Sequence, residues 1–238
     1  MGINLMMSGN ECFIKGNKMN SKLKLAWKNN KSLIVFISLM MVFRSAVADW
    51  NDVPTGSMNP TIVEGDRLLV NKMAYDIRVP FTHISMIKIA DPKRSDIIIF
   101  DSEFSGKKLV KRVIGLPGDI VAMKNNVLSI NGKQINYQTT INAASTQVTE
   151  NRKIENVFGK EYFVQIKNEG SSLSSFNSVK VPEGHYLVLG DNRDNSADSR
   201  VIGFVPRNEI VGRSRKVVLS LNYDNYYLPR SERFYHTL

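Results

Sequence analysis

The order of apolar and polar positions divides the chain into three stretches. Residues 1–31 are polar and lysine-rich, with Gly, Asn and Ser among short apolar clusters, the composition of a basic tail that buries no core. From Ser32 the polarity reverses: Leu33–Phe43 is an apolar run that continues through Ala46, Val47, Ala48 and Trp50, with Arg44 placed to snorkel. Residues 32–50 are therefore expected to form a transmembrane anchor, close to the ~20 residues a hydrocarbon core requires. The lysines before it would hold the N-terminus in the cytoplasm. The same stretch also reads as a cleavable secretory signal with Ala46-Val47-Ala48 as its small-x-small site. Both readings export the remainder. A buried core helix would leave the lysine flank and the abrupt polarity change beyond Ala48 unexplained.

Beyond Ser57 the apolar positions fall in short β-type runs cut by turn signals. Asp66–Val70, Asp96–Phe100 and Leu109–Ile114 are strand candidates rich in β-branched residues. Leu116-Pro117-Gly118-Asp119 sets proline and glycine where a type II turn uses them. Ile120–Lys124, Val127–Ile130 and Lys133–Tyr137, separated by Asn125-Asn126 and Asn131-Gly132, spell a three-stranded meander. Residues 138–180 are richer in Asn, Ser, Thr and Lys, have one apolar patch at Val157–Ile166, and read as an inserted subdomain. Strand signals return at Tyr186–Leu189 and Val217–Leu221. The expected fold is mainly β, with antiparallel sheets in a small β-barrel-like core, an inserted subdomain and one N-terminal transmembrane helix.

Charge sharpens this picture. The net charge is +10, and the first 31 residues supply half of it, Lys15, Lys18, Lys22, Lys24, Lys28 and Lys31 standing against Glu11. A nucleic-acid protein interleaves basic residues with aromatics across a folded face, which the rest of the chain does not do, so the basicity reads as membrane-related. Cys12 is the only cysteine. No intramolecular disulfide can form, and the fold must stand on its core.

Three segments carry candidate chemistry. In Pro54-Thr55-Gly56-Ser57-Met58-Asn59-Pro60-Thr61, a serine lies between glycine and methionine with a proline three residues to either side. Punctuation of that kind fixes a backbone direction without a regular element, the way an exposed nucleophile is held, although turn serines share the pattern. A serine-histidine-aspartate triad could draw only on His83, His185 and His236; His185 precedes a strand and His236 lies in the C-terminal tail, positions unlike a triad base. A neutral lysine can take that role. Strand alternation puts Lys111 on an apolar face with Leu109 and Val113, where desolvation lowers an ammonium pKa, while Arg112 points the other way. A strand lysine that merely snorkels is the plainer alternative. The third segment, Gly190-Asp191-Asn192-Arg193-Asp194-Asn195-Ser196-Ala197-Asp198-Ser199-Arg200, reads as a solvated loop or a buried polar network.

Together, the Pro54–Thr61 segment, Lys111-Arg112-Val113-Ile114-Gly115-Leu116-Pro117-Gly118-Asp119 and the Gly190–Arg200 segment resemble the catalytic boxes of bacterial type I signal peptidases, in the family's order. The similarity extends through Leu69–Tyr75, Arg94–Phe100 and Gly203-Phe204-Val205-Pro206. The resemblance implies a serine endopeptidase with a Ser-Lys dyad: Ser57 as nucleophile, Lys111 as general base, the Ser57 N–H and Thr55 hydroxyl as oxyanion donors, and Ser196 orienting the lysine. Asp198 and Arg200 match a structural ion pair beside the site. It implies no cofactor and no metal. Its partners would be preprotein signal peptides, membrane lipid and the secretion machinery, with no nucleic acid. The enzyme would sit single-pass in the bacterial cytoplasmic (inner) membrane with its catalytic domain on the periplasmic side. On this reading the catalytic core is 51–137 and 181–222, the variable subdomain 138–180 and a C-terminal tail 223–238. Ala46-Val47-Ala48 fits the family's cleavage rule, so slow self-cleavage before Asp49 is expected. Ser95 stands where the family commonly has glycine, and Ile202 where an aromatic is common, which would reduce the apolar surface meeting the lipid. A processing peptidase of the same family, such as one maturing a conjugative pilin, and an inactive membrane-anchored binding domain are the rival readings. A self-cleaving repressor shares the dyad but leaves no room here for a helix-turn-helix.

Overall fold

The computed structural model describes residues 21–82, 84–139 and 150–238. Cys12 and His83 lie outside them. A helix, α1 (Ser21–Ala46), comes first. The strands follow in chain order. β1 (Ala48–Asp52) and β2 (Asp66–Asn71) flank the Ser57 turn, and β3 (Asp76–Arg78) pairs with β4 (Ser85–Lys88). Next come β5 (Ile97–Ser102), β6 (Lys107–Gly115), β7 (Ile120–Lys124), β8 (Val127–Ile130) and β9 (Lys133–Gln134). β10 (Asn136–Thr139), β11 (Glu150–Val157) and β12 (Lys160–Lys167) form one small sheet. β13 (Phe176–Lys180) and β14 (His185–Leu189) precede a short helix, α2 (Ser199–Ile202). β15 (Val205–Pro206), β16 (Ile210–Asn222) and β17 (Leu228–Pro229) complete the chain. The fold is mainly β, and its strand pairs are antiparallel, as the pattern implied.

The main sheet runs β1-β2-β16-β5-β6-β14-β15. This order brings chain regions distant in sequence to one place: β6 with Lys111 lies between β5 and β14, and β14 leads directly into Gly190. The turns obey backbone chemistry. Asp119 N–H bonds Leu116 O at 3.0 Å around Gly118 at φ 84°, the glycine position of a type II turn. Asn125-Asn126 and Asn131-Gly132 hold positive φ at both central residues, the requirement of tight hairpins.

The anchor differs from the expected 32–50 segment. Among the described residues no helix is long and apolar enough to cross a membrane. The helical apolar run is confined to Leu33–Phe43, broken by Ser38 and ended by Arg44, while Ala48 and Trp50 belong to β1 instead. The Ala48–Asp49 bond lies inside that strand, in register with Asn71 and Val70 of β2, and Asp49 is held by Arg44 at 2.7 Å and Lys72 at 3.3 Å.

Val157, Tyr162, Val164 and Ile166 of the 138–180 segment share one core with Ile114, Val121, Leu128, Ile130 and Leu189. The residues after Asn222 are also tied down: Val217 N–H bonds His236 O and Leu238 N–H bonds Arg215 O, each at 2.9 Å. Arg233 forks onto the fully buried Asp66 at 2.9 and 2.6 Å and reaches Thr61 O at 3.0 Å. Breaking a buried pair by removing one member leaves an uncompensated charge. Arg233→Ala is therefore expected to lower the unfolding free energy by about 3 kcal/mol, read from urea denaturation as a lower midpoint.

Candidate active site

Ser57 sits in a single 3-10 turn, Gly56–Met58, pinned from below by buried Met58 and Ile62, whose N–H bonds Met58 O at 3.0 Å. Thr55 precedes the turn in extended conformation, φ −137° and ψ 148°, and its exposed side chain makes no capping bond. The first N–H groups of a helical turn have no partner within it.

Lys111 reaches this serine from β6. Its Nζ donates to Ser57 Oγ at 2.7 Å, and the residue is only 3 % exposed. Burial lowers the Lys111 pKa from its ordinary value to about 8; Asp198 and then Asp191 oppose that shift and Arg200 adds to it. An amine so placed is deprotonated at mildly alkaline pH without a histidine. Among the described histidines, His185 opens β14 with Nδ1 against Glu183 O at 2.9 Å.

The Gly190–Arg200 segment is a buried polar network. Asn192 clamps the turn's backbone twice: its N–H bonds Ser57 O and its Nδ2 bonds Gly56 O, both at 3.1 Å. Asp191, fully buried, receives Arg112 in a two-bond fork at 2.8 and 2.6 Å and Thr61 Oγ1 at 2.6 Å. Adjacent residues of β6 thus serve opposite faces, Lys111 toward Ser57 and Arg112 toward Asp191. Asp198 accepts the Gly190 N–H at 2.9 Å and pairs with Arg200 at 2.7 and 2.6 Å; Arg200 in turn holds Arg193 O at 2.6 Å. Ser196 is buried, but its Oγ has no hydrogen-bond partner, so the structure does not join it to Lys111.

The roles of Asn192, Arg193 and Glu155 are absent from the sequence reading. Glu155 of β11 is fully buried; it receives Arg193 through two bonds at 2.6 Å and the hydroxyls of Tyr137 and Tyr162 at 2.5 Å each. Burial alone would raise the Glu155 pKa, but Arg193 and the two tyrosines outweigh it and hold the carboxyl below its usual range. Arg193 also reaches Gly190 O at 3.3 Å, linking the 138–180 segment to the loop beneath Ser57. Glu155 lies in a polar stretch without a motif, and no local signal marks it.

Gly190 leaves no room for a side chain: a Cβ there would stand 2.4 Å from Ser57 O and 2.2 Å from Ser196 Oγ. Gly190→Ala must displace the Ser57 backbone, and misplacement of a reacting group on that scale costs about 10²-fold in rate. A folded variant by circular dichroism with that loss in kcat is the expected outcome; unchanged kcat would show that the contact does not position Ser57.

Among the described residues, two edges of the sheet are left open beside Ser57 and Lys111. β6 pairs with β5 along Lys107–Arg112, but β14 meets it only from Arg112 to Gly115, so Lys107–Lys111 carries a free edge on that side. Among the described strands β1 pairs only with β2, and the chain continues from its end into Ser57. Val110 packs against the cluster containing Val53 and Met58, joining the two edges through side chains.

Residues 26–219 match the family model described as signal peptidase, peptidase S26. A signal peptidase I from Pseudomonas aeruginosa is 33% identical over 80% of this chain and 71% of its own length, and one from Bacillus amyloliquefaciens is 36% identical over 80% and 84%. A solved signal peptidase I from Enterococcus faecalis V583, 32% identical, covers 53% of this chain and 98% of its own with a TM-score of 0.34, a superposition too partial to bear on the fold. With a serine and a buried lysine in hydrogen-bond contact inside a match that spans most of its length, the chain belongs to the peptidase S26 family of signal peptidases.

Proposed function

We propose that the chain is a membrane-bound serine endopeptidase that removes signal peptides after small-x-small sites, with Ser57 as nucleophile and Lys111 as general base. The observation that carries this reading is the 2.7 Å contact between Ser57 Oγ and a lysine that burial renders a usable base. The cleavage segment lies as an added strand between the free edges of β6 and of the chain leading into Ser57. Small side chains on either side of the scissile bond are what shallow subsites along that edge would admit.

In the reaction, Ser57 Oγ attacks the scissile carbonyl as neutral Lys111 Nζ takes its proton. The Ser57 N–H and Thr55 Oγ1 donate to the oxyanion, an interaction whose loss typically costs ~10²–10³ in rate. The intermediate collapses when Lys111 returns the proton to the leaving amine, giving an acyl-enzyme on Ser57. Water then attacks the ester, Lys111 again taking the proton, and Ser57 is released with its hydroxyl restored. Ser196, with an unpartnered buried hydroxyl, is available to hold the lysine as its charge changes. The Asp198–Arg200 pair fixes Gly190 and so supports the nucleophile from below.

The same reading places α1 as the single-pass anchor of a bacterial cytoplasmic membrane, N-terminus inside and the catalytic core of 51–137 and 181–222 on the periplasmic side. Exposed Leu33, Phe36, Leu39, Met41 and Phe43 give the helix an apolar surface suited to lipid. The 138–180 subdomain supports the catalytic loop through Glu155, and the secretion machinery delivers the preproteins. Self-cleavage before Asp49 requires β1 to leave the sheet and is correspondingly slow.

Cleavage of a detergent-solubilised preprotein bearing an Ala-x-Ala site tests the dyad. Wild type is expected to cut it, while Ser57→Ala and Lys111→Ala lose at least about 10³-fold in kcat; activity retained by Lys111→Ala would overturn the base assignment. The pH profile is a second check. Only neutral Lys111 accepts the proton, so kcat should fall about tenfold per unit below pH 8 and level off above it. Because the folded pKa is depressed for a cationic group, the unfolded chain binds the extra proton between about 8 and the ordinary value of 10.5, and this lysine's contribution to stability rises with pH across that window.

A further inference from the structure

Arg112 lies on the face of β6 turned away from Lys111 and spends the edge of its guanidinium on the Asp191 fork and on Ser95 O, the latter at 3.1 Å. Those bonds lie in the guanidinium plane and leave its two faces to other neighbours. One face meets the ring of Tyr162 in β12, the guanidinium carbon standing 3.9 Å from the ring centroid. Both side chains are buried, Arg112 at 5 % exposure and Tyr162 at 9 %. A cation over an aromatic face gains most where water is excluded, so this contact restrains Arg112 in the direction its hydrogen bonds do not.

The ring is itself held at its far end. Tyr162 OH donates to Glu155 Oε1 at 2.5 Å, and Arg193 and Tyr137 complete the shell of that carboxylate. Burial and then the Glu155 charge push the phenol well above its usual range, so it remains a neutral donor. β12 also grips the loop by its backbone: Gln165 N–H bonds Asp191 O at 2.8 Å, and Arg193 N–H bonds Gln165 O at 2.9 Å. One strand thus touches both members of the Arg112–Asp191 pair, the arginine through a ring and the aspartate through the main chain.

How completely Asp191 is neutralised matters to the base. Lys111 faces Ser57 from the turn and Asp198, Asp191 and Arg200 from the loop, while its register partner in β5 is the apolar Ile98. Asp191 is, after Asp198, the carboxylate that favours the ammonium. A guanidinium seated squarely on Asp191 cancels much of that pull. One that swings away restores it and keeps Lys111 protonated to higher pH.

We propose that Tyr162 is a positioning residue for the reaction: its ring keeps Arg112 seated on Asp191, and through it the 138–180 segment governs how readily Lys111 gives up its proton. This inference deepens the dyad reading above and rests on it. A tyrosine that only filled the core beside Val164 and Ile166 would give no part to the electrons of its ring.

The test varies those electrons at constant shape. In the detergent-solubilised full chain, Tyr162→Phe is the reference, and a trifluorinated phenylalanine at position 162 weakens the ring's attraction for a cation while keeping its packing. The readout is the pH profile of kcat on an Ala-x-Ala peptide. Fluorination is expected to move the acid limb up by at least about half a pH unit, about a threefold loss of kcat at neutral pH, with the alkaline plateau unchanged. A plateau that falls while the limb stays in place is what packing alone would give and overturns the proposal, as does an unchanged profile. Arg112→Lys keeps the charge but cannot fork, and it tests the same link from the other side should Tyr162→Phe not fold. Its limb is expected to rise too; a limb at the wild-type position sinks the proposal. If the wild type shows no acid limb, or Lys111→Ala stays active, the dyad reading fails and this inference with it.

Discussion

A primary amine is a useful base near neutrality only where water has been withdrawn from it, and the withdrawal must stop short of leaving buried charges unpaired. Lys111 meets the first condition through its place in the sheet, with β5 along one side and the Gly190 loop over it. The second is met by the neighbours. Arg112–Asp191, Asp198–Arg200 and Glu155–Arg193 are all buried or nearly so, and each cation is matched by a carboxylate through at least two bonds. The lysine is left as the residue without a carboxylate of its own, and its proton is the one most readily given up. Breaking the Arg112–Asp191 or Asp198–Arg200 pair would alter the field at Lys111 as well as the local packing.

The hydrogen-bonded turn Gly56–Met58 adds a second constraint, because Ser57 on so short an element has no longer helix to hold it. Its rigidity comes from outside. Asn192 holds the Gly56 and Ser57 carbonyls, Met58 and Ile62 sink into the core beneath, and Gly190 admits the backbone closely from the other side. Thr55, before the turn, makes no capping bond to it.

Elements whose cause is local were legible in the sequence. β7 and β8 fall where alternation and the Asn125-Asn126 turn put them, and the pairing of Lys111 with Arg112 on opposite faces follows from strand geometry. The Ser57 turn and the Gly190–Arg200 network were visible as segments, yet their partners were not, since hydrogen bonds across 136 residues, as between Asn192 and Gly56, leave no trace in either stretch. Lys133–Tyr137 was read as one strand but divides at Ile135, whose buried side chain turns into the core while β10 leaves for a different sheet. Glu155 was illegible for the same reason: a lone glutamate in a polar stretch looks solvated until Arg193, Tyr137 and Tyr162 arrive from three directions. The strand character of Ala48–Asp52 was hidden because apolar and small residues that continue a helix also serve an edge strand, and only β2 decides between them.

The span of the charge pairs along the chain has a consequence for timing. Lys111 and Ser57 are 54 positions apart, but the loop that completes their surroundings comes 79 positions after Arg112, and Asp66 waits 167 positions for Arg233. A chain emerging from its N-terminal end has both reacting groups well before it has Asp191, Asn192 or the final residues that close over Asp66. Until then Lys111 is hydrated and protonated, and the serine is an ordinary alcohol. The buried setting of Lys111 is therefore completed only by the Gly190–Arg200 segment, late in the order of the chain.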